Sequence, residues 1–494
     1  MRTYIAAALM LLCSLGIADE HGAVDAFKKA RTTEPQLIAF LKEMPKGGDL
    51  HNHVSGALFS DFLLDAQVAQ GRHFDPDSLT FTDETSKPSA SDLLTDDALR
   101  YRWLNAISMR GWTGLAESGH DHFFDTFRYI DSAKAGMSSA QILQRVVGRA
   151  MSQNIHYLEL MTGTNSDAGY DAYFTTNPDS RNLSEALESI RPRLEALLAD
   201  AHTFLDARDA ELSTRLGLYG SVADARSPIT LRNIWSCNRL SSNDAFFLQA
   251  AGGMYLAAHE PRVVAVNIVA PEDAPNARRN FDRQMEILDF LWRQFGHPNV
   301  TLHAGELTLP ISPVETMRDR IWKSIQLGHA RRIGHGVSIA WSDRVDDLLK
   351  MMHDQGIAVE ICLTSNHSIL GVDGSRHPLN LYRTHGVATF LNTDDEGVSR
   401  SNLTNEEVRG VQDQHLGYRD LKEMARNSIE YSFLSGKSLY EGRDYRRLDG
   451  TFKGLRDRSW EPTVAAKREM DANDKLAVEV RLERSFVRFE SRYP

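Results

Sequence analysis

Eight short apolar runs recur between residues 49 and 393, and helix-like stretches separate many of them. They are Asp49–His51, Ile155–Leu160, Arg215–Tyr219, Val263–Ile268, Val300–His303, Arg332–His335, Ile357–Cys362 and Thr389–Thr393. Short runs of this kind read as strands. Phe281–Phe295, Val314–Leu327 and Asp343–Gln355 repeat apolar residues at helical spacing between them. Strand alternating with helix implies a parallel sheet, because parallel neighbours need a crossover. Eight such units predict an α/β fold of the (β/α)8 TIM-type barrel, with its chemistry at the C-terminal ends of the strands. An open doubly wound sheet is the alternative, but no glycine-rich phosphate turn follows the first run.

The remaining segments hang on this frame. Val24–Met44 reads as an amphipathic lead-in helix. Residues 71–100 are polar and turn-rich, and residues 101–153 carry helical periodicity. Together they form an insertion, about 60–150, after the first strand. Its stripe of Phe123, Phe124, Phe127 and Ile130 reads as core packing. The charged tail, about 440–494, is expected to dock as helices, so that residues 19–494 make a single domain.

Ahead of that domain, Arg2, the apolar stretch Tyr4–Leu15 and the small-x-small Gly16-Ile17-Ala18 have the order of a cleavable secretory signal, residues 1–18. The expected location is therefore the periplasm or the outside of the cell. The apolar stretch is too short for a comfortable membrane span, so stable membrane insertion is not expected after cleavage. A net charge of −11 speaks against general nucleic-acid binding, which needs a basic footprint. Cys237 and Cys362 remain after cleavage, too few for a disulfide framework, and read as free buried thiols.

Titratable residues gather at the predicted strand ends. The first carries His51-Asn-His53, whose side chains share one face of a strand. Alone, that pair is either half of a metal site or two unremarkable histidines. The fifth adds His303-Ala-Gly-Glu306, the sixth Arg332-Ile-Gly-His335-Gly336, and the eighth Asn392-Thr-Asp394-Asp395. In a barrel these ends meet at one mouth. Three imidazoles and a carboxylate suit Zn²⁺, whereas Mg²⁺ prefers an all-oxygen shell.

These motifs, in this order, resemble the adenosine/AMP deaminase family of metal-dependent hydrolases. The matching residues are Pro45-Lys-x-x-x-Leu50-His51-x-His53-x-x-Gly56-Ala57, His303-Ala-Gly-Glu306, Arg332-Ile-Gly-His335-Gly336 and Leu391-Asn-Thr-Asp394-Asp395. Met44-Pro-Lys-Gly and Asn427-Ser-Ile-x-Tyr431-Ser look most like the secreted adenosine deaminase-related growth factors. The resemblance implies one zinc ion per chain, held by His51, His53, His303 and Asp394. It implies hydrolysis of the 6-amino group of adenosine or 2′-deoxyadenosine, a small-molecule purine nucleoside. Glu306 would protonate purine N1, His335 would orient or deprotonate the attacking water, and Asp395 would help place the nucleophile and bond N7.

Three departures bear on substrate fit. Ala270 stands where the family has glycine beside the base, and Asn267 where it has Asp. Ser55 replaces a ribose-binding Asp, so the insertion residues Trp112, Glu117, His120 and His122 are candidates to recognise the sugar. Glu360-Ile-Cys-Leu363-Thr-Ser365-Asn366 lacks the family's proline and reads as a loop variation of little catalytic effect. Alternatives to adenosine are another 6-amino or N6-substituted purine, or a secreted binding protein without catalysis.

Overall fold

A computed structural model describes residues 20–162 and 178–493 of the 494. The expected signal, residues 1–18, lies outside the described residues. Eight strands carry the fold: β1 Gly47–His53, β2 Ile155–Thr162, β3 Thr230–Asn238, β4 Val263–Val269, β5 Thr301–Ala304, β6 Arg332–His335, β7 Ala358–Ile361 and β8 Thr389–Leu391. All neighbours pair in parallel, β1 through β4 in one run and β5 through β8 in another. Single parallel bridges join the runs at both seams, Val266 with Val300 and Asn52 with Asp394. At the second seam Asp394 N–H donates to His51 O (2.8 Å), and His53 N–H donates to Asp394 O (3.2 Å). The strands thus follow one another around a ring, as the alternation predicts.

One expected strand is misplaced. Arg215–Tyr219 is the end of a 33-residue helix, Leu183–Arg215, and the turn after it, where Gly217 takes a φ of +67°. The third strand lies further on, in Thr-Leu-Arg-Asn-Ile-Trp-Ser-Cys-Asn, where Arg232, Asn233 and Ser236 break the apolar pattern. They are buried all the same. Asn233 accepts from Arg208 (2.9 Å) and Arg232 donates to Ala223 O (2.7 Å), which meets the demand that buried polar groups be paired. The lead-in segment is two helices, Glu20–Ala30 and Glu34–Glu43, and Val314–Leu327 is also broken, into Val314–Met317 and Arg320–Gln326.

The barrel interior holds a buried ion-pair chain. Arg332, on β6, donates to Glu159 of β2 (2.5 Å) and to Glu360 of β7 (2.6 Å), with its guanidinium 3.9 Å from the Phe433 ring centre. Glu360 also accepts from Thr301 (2.7 Å) and His51 Nδ1 (2.7 Å). The tail docks as expected: Asp474–Glu490 buries Leu476, Val478, Leu482, Phe486 and Phe489. Ser428, in the helix Tyr418–Glu430, and Lys46 tie the first strand to its surroundings. Ser428 accepts from Gly48 N–H (2.7 Å), and Lys46 donates to Leu41 O (2.6 Å) and Met44 O (3.0 Å). Cys237 and Cys362 are free and buried. Among the described residues no helix is long and apolar enough to cross a membrane.

Removing Arg332 strands two buried carboxylates. Arg332→Leu is expected to destabilise the fold by about 3–5 kcal/mol, read from the midpoint of denaturant unfolding.

Candidate metal centre at the barrel mouth

Four side chains from three parts of the ring converge at the C-terminal ends of the strands. His51 and His53 come from β1, His303 from β5 and Asp394 from just beyond β8. The Nε2 atoms of the three histidines lie 3.0, 3.1 and 3.3 Å apart. Asp394 Oδ1 is 3.5 Å from the first and 3.3 Å from the second. A tetrahedral zinc ion with ligands at about 2.0–2.1 Å needs ligand-to-ligand edges of roughly 3.3–3.4 Å. The donor set therefore fits that ion.

The surroundings of the rings say the same. His51 Nδ1–H donates to Glu360, and His303 Nδ1–H donates to Asn267 Oδ1 (3.0 Å). Each neutral ring then turns an unprotonated Nε2 toward the other and toward a carboxylate. Converging lone pairs repel unless a cation sits among them. Asn267, despite its missing charge, thus supplies the acceptor that orients His303. Glu360, Ser365 and Asn366 were expected to matter little, and their positions correct that expectation. Glu360 orients His51, Ser365 Oγ donates to Asp394 Oδ2 (2.5 Å), and Asn366 bonds His335. Sequence reasoning missed them because each acts on a partner far along the chain.

Beside the donor set lie the other residues singled out by motif. His335 Nε2 is 3.6 Å from Glu306 Oε1 and 4.0 Å from Asp394 Oδ2. Glu306 Oε1, His335 Nε2 and Asp395 Oδ1 are buried and have no hydrogen-bond partner. Burial, then the charges of Asp394 and Glu272, push the Glu306 carboxyl up to about 8. Burial and the adjacent Asp394 push Asp395 well above the usual carboxylate range. Burial drops His335 to about 3, so its ring is neutral. Glu306 is held in place by Glu272, which accepts its backbone N–H (2.9 Å).

A cavity of about 500 Å³ opens over these groups. Ser55 and Ala270 line it, with Asn238 and Ser236 as further polar members. Trp112 and Glu117 are not among its lining residues. Trp112 Nε1–H donates to Glu117 O (3.3 Å), and Glu117 takes the ring N–H of His122 (2.6 Å), so the group folds on itself at the outer cover. His120 instead bonds Asp273 (3.0 Å) in the loop after β4 and latches the insertion to the barrel. The phenylalanine stripe, read as core, has a second role: Phe123, Phe124 and Phe127 wall the cavity with Ile369 and Leu240. Gly119 makes this approach possible, since a Cβ there would lie 1.8 Å from Ser368 O.

Fold and donor set together define a parallel α/β barrel with a candidate metal site at its mouth. Residues 217–441 match the model of the adenosine deaminase family. An adenosine deaminase of Escherichia coli O1:K1 is 35% identical over 140 residues, 28% of this chain and 39% of the relative. The chain thus spans about two fifths of the length of the curated relatives it matches. A COG1816 amidohydrolase from Burkhoderia ambifaria, solved with bound Zn, shares the fold at 17% identity and a TM-score of 0.53, over 81% of this chain and 89% of that one. An Arabidopsis N6-mAMP deaminase does so at 18% identity and 0.50, over 80% and 95%.

Two outcomes test this geometry. Glu360→Gln removes the charge that holds His51 and is expected to weaken zinc binding about 10–100-fold, measured by chelator competition. Ala270 has a φ of +84°, a left-handed conformation that costs a residue with a Cβ. Ala270→Gly is expected to stabilise the protein by about 1 kcal/mol, read as a higher melting temperature.

Proposed function

We propose that this chain is an exported, zinc-dependent purine aminohydrolase that converts adenosine or 2′-deoxyadenosine to inosine or 2′-deoxyinosine and ammonia. The observation that carries the reading is the set of three unpartnered buried atoms, on Glu306, His335 and Asp395, beside a zinc-shaped donor set. His51, His53, His303 and Asp394 would hold the zinc ion, which would make a bound water nucleophilic near neutral pH.

The residues then divide the work. Glu306, neutral because it is buried, gives its proton to ring N1 as the oxygen attacks C6. This discharges the electron density that attack drives into the ring. The water's two protons leave, one to the departing amino group and one back to the Glu306 carboxylate, so N1 keeps the proton it received. Asp395 and His335 place the attacking oxygen. Ammonia departs and C6 becomes a carbonyl.

The cavity favours an uncharged substrate. Among the described residues its lining contains no Lys or Arg. Residues 163–177, which follow β2, contain none either. Burying a 5′-phosphate without a cation would carry a large desolvation cost. Ser55, Ser236 and Asn238 are polar lining residues available to a ribose. Export rests on the order of charge, apolar stretch and small residues at the N-terminus, with Asp19 as the first residue of the mature protein.

A panel of adenosine, 2′-deoxyadenosine, N6-methyladenosine, adenine and AMP, followed by ammonia release, tests the substrate. The nucleosides are expected to exceed AMP by about 10²-fold or more in kcat/KM. Turnover of only an N6-substituted purine would replace the first reading with the second, and no turnover at all would favour a binding protein. Glu306→Gln should abolish turnover while zinc content stays near that of the parent; full activity would remove Glu306 from its role. Since the acid form of Glu306 is the working one, kcat/KM should fall as pH rises through about 8. N-terminal sequencing of exported protein checks the start at Asp19.

A further inference from the structure

We infer that His377 and Asn366 are positioning residues which fix the tautomer of His335, so that it presents an N–H rather than a lone pair to the reacting oxygen.

The inference follows a chain of hydrogen bonds whose direction is set at one end. The backbone N–H of Leu379 is an obligatory donor, and it points at His377 Nδ1 (3.1 Å). That nitrogen must therefore be the acceptor, so the proton of the neutral ring sits on Nε2. His377 Nε2–H lies 3.0 Å from Asn366 Oδ1, which accepts it. The Asn366 side chain is thereby oriented with its NH2 toward His335, where Nδ2 meets Nδ1 at 3.0 Å. An amide NH2 can only donate, so His335 Nδ1 must be unprotonated and the ring proton must be on Nε2. Nε2 is the atom that lies near Glu306 and Asp394 without a partner of its own.

Each member of the chain is buried, with Asn366 and His335 at 1% exposure or less and His377 at 4%. Water does not compete for these bonds, and the direction set at Leu379 passes undiluted to the site. Asn366 and His377 thus reach the chemistry through His335 alone. In this arrangement the neutral ring cannot accept a proton at Nε2. Its part is to donate a hydrogen bond to the attacking oxygen and hold one of its lone pairs away from C6. Proton acceptance then falls to the carboxylates. The catalytic consequence rests on the aminohydrolase reading; the tautomer does not.

The test is the protonation pattern of His335 in zinc-loaded protein carrying ¹⁵N-labelled histidine, with the signal assigned by its loss in His335→Gln. The expected spectrum has Nε2 protonated and Nδ1 not. An unprotonated Nε2 would overturn the inference, whatever the substrate proves to be. In Asn366→Asp the carboxylate accepts from both neighbouring rings, so His335 Nδ1 should become protonated; an unchanged pattern would overturn the relay. For catalysis, His377→Leu should lower kcat about 10²-fold with KM little changed. His377→Gln, whose amide can still donate to Asn366, should recover most of that loss. Equal kcat in His377→Leu and the parent would overturn the relay's role in the reaction.

Discussion

The carboxylate of Glu360 is the joint on which the structure turns. One oxygen takes Arg332 and Thr301, and the other takes the ring of His51. Arg332 in turn reaches Glu159 across the barrel. The interior therefore has no separate structural and functional layers: the charge that balances a buried guanidinium also sets the first metal-site histidine. Burial alone would raise the Glu360 carboxyl, but the Arg332 guanidinium and the hydrogen bonds from His51 and Thr301 hold it down at about 2. Gly334 completes the arrangement, because a Cβ at that position would come within 2.9 Å of the His51 ring.

Backbone strain gathers at the same mouth. His335, Asp394 and Ala270 all take positive φ, at +66°, +58° and +84°. Such conformations cost residues with side chains and persist where surrounding bonds over-determine them. Asp394 is held by reciprocal backbone bonds to His51 and His53, which also close the ring. The backbone bonds that join the two runs of strands there also present the carboxylate.

Much of this was legible in the sequence, and the reasons are physical. Seven of eight strands stood out as short apolar runs, and the motifs placed His51, His53, His303 and Asp394 where the structure brings them together. The third strand was hidden because its polar residues are buried, with Arg232 and Asn233 paired inside the protein, which no local pattern reveals. Glu360 and Asn366 were undervalued for a related reason: their partners lie 309 and 31 residues away. Trp112 and Glu117 stood in the right segment, but a segment's nearness does not tell which side chains turn inward. The phenylalanine stripe repeats at helical spacing whether it meets a core or a cavity.

The cover over the site comes from one insertion, latched by His120 to Asp273 and pressed close at Gly119. Its phenylalanines wall the cavity, while every metal donor belongs to the barrel. The aromatic wall and the metal donors therefore come from different stretches of chain. A change in the cover would reshape the aromatic wall of the cavity without moving any of the four candidate metal donors.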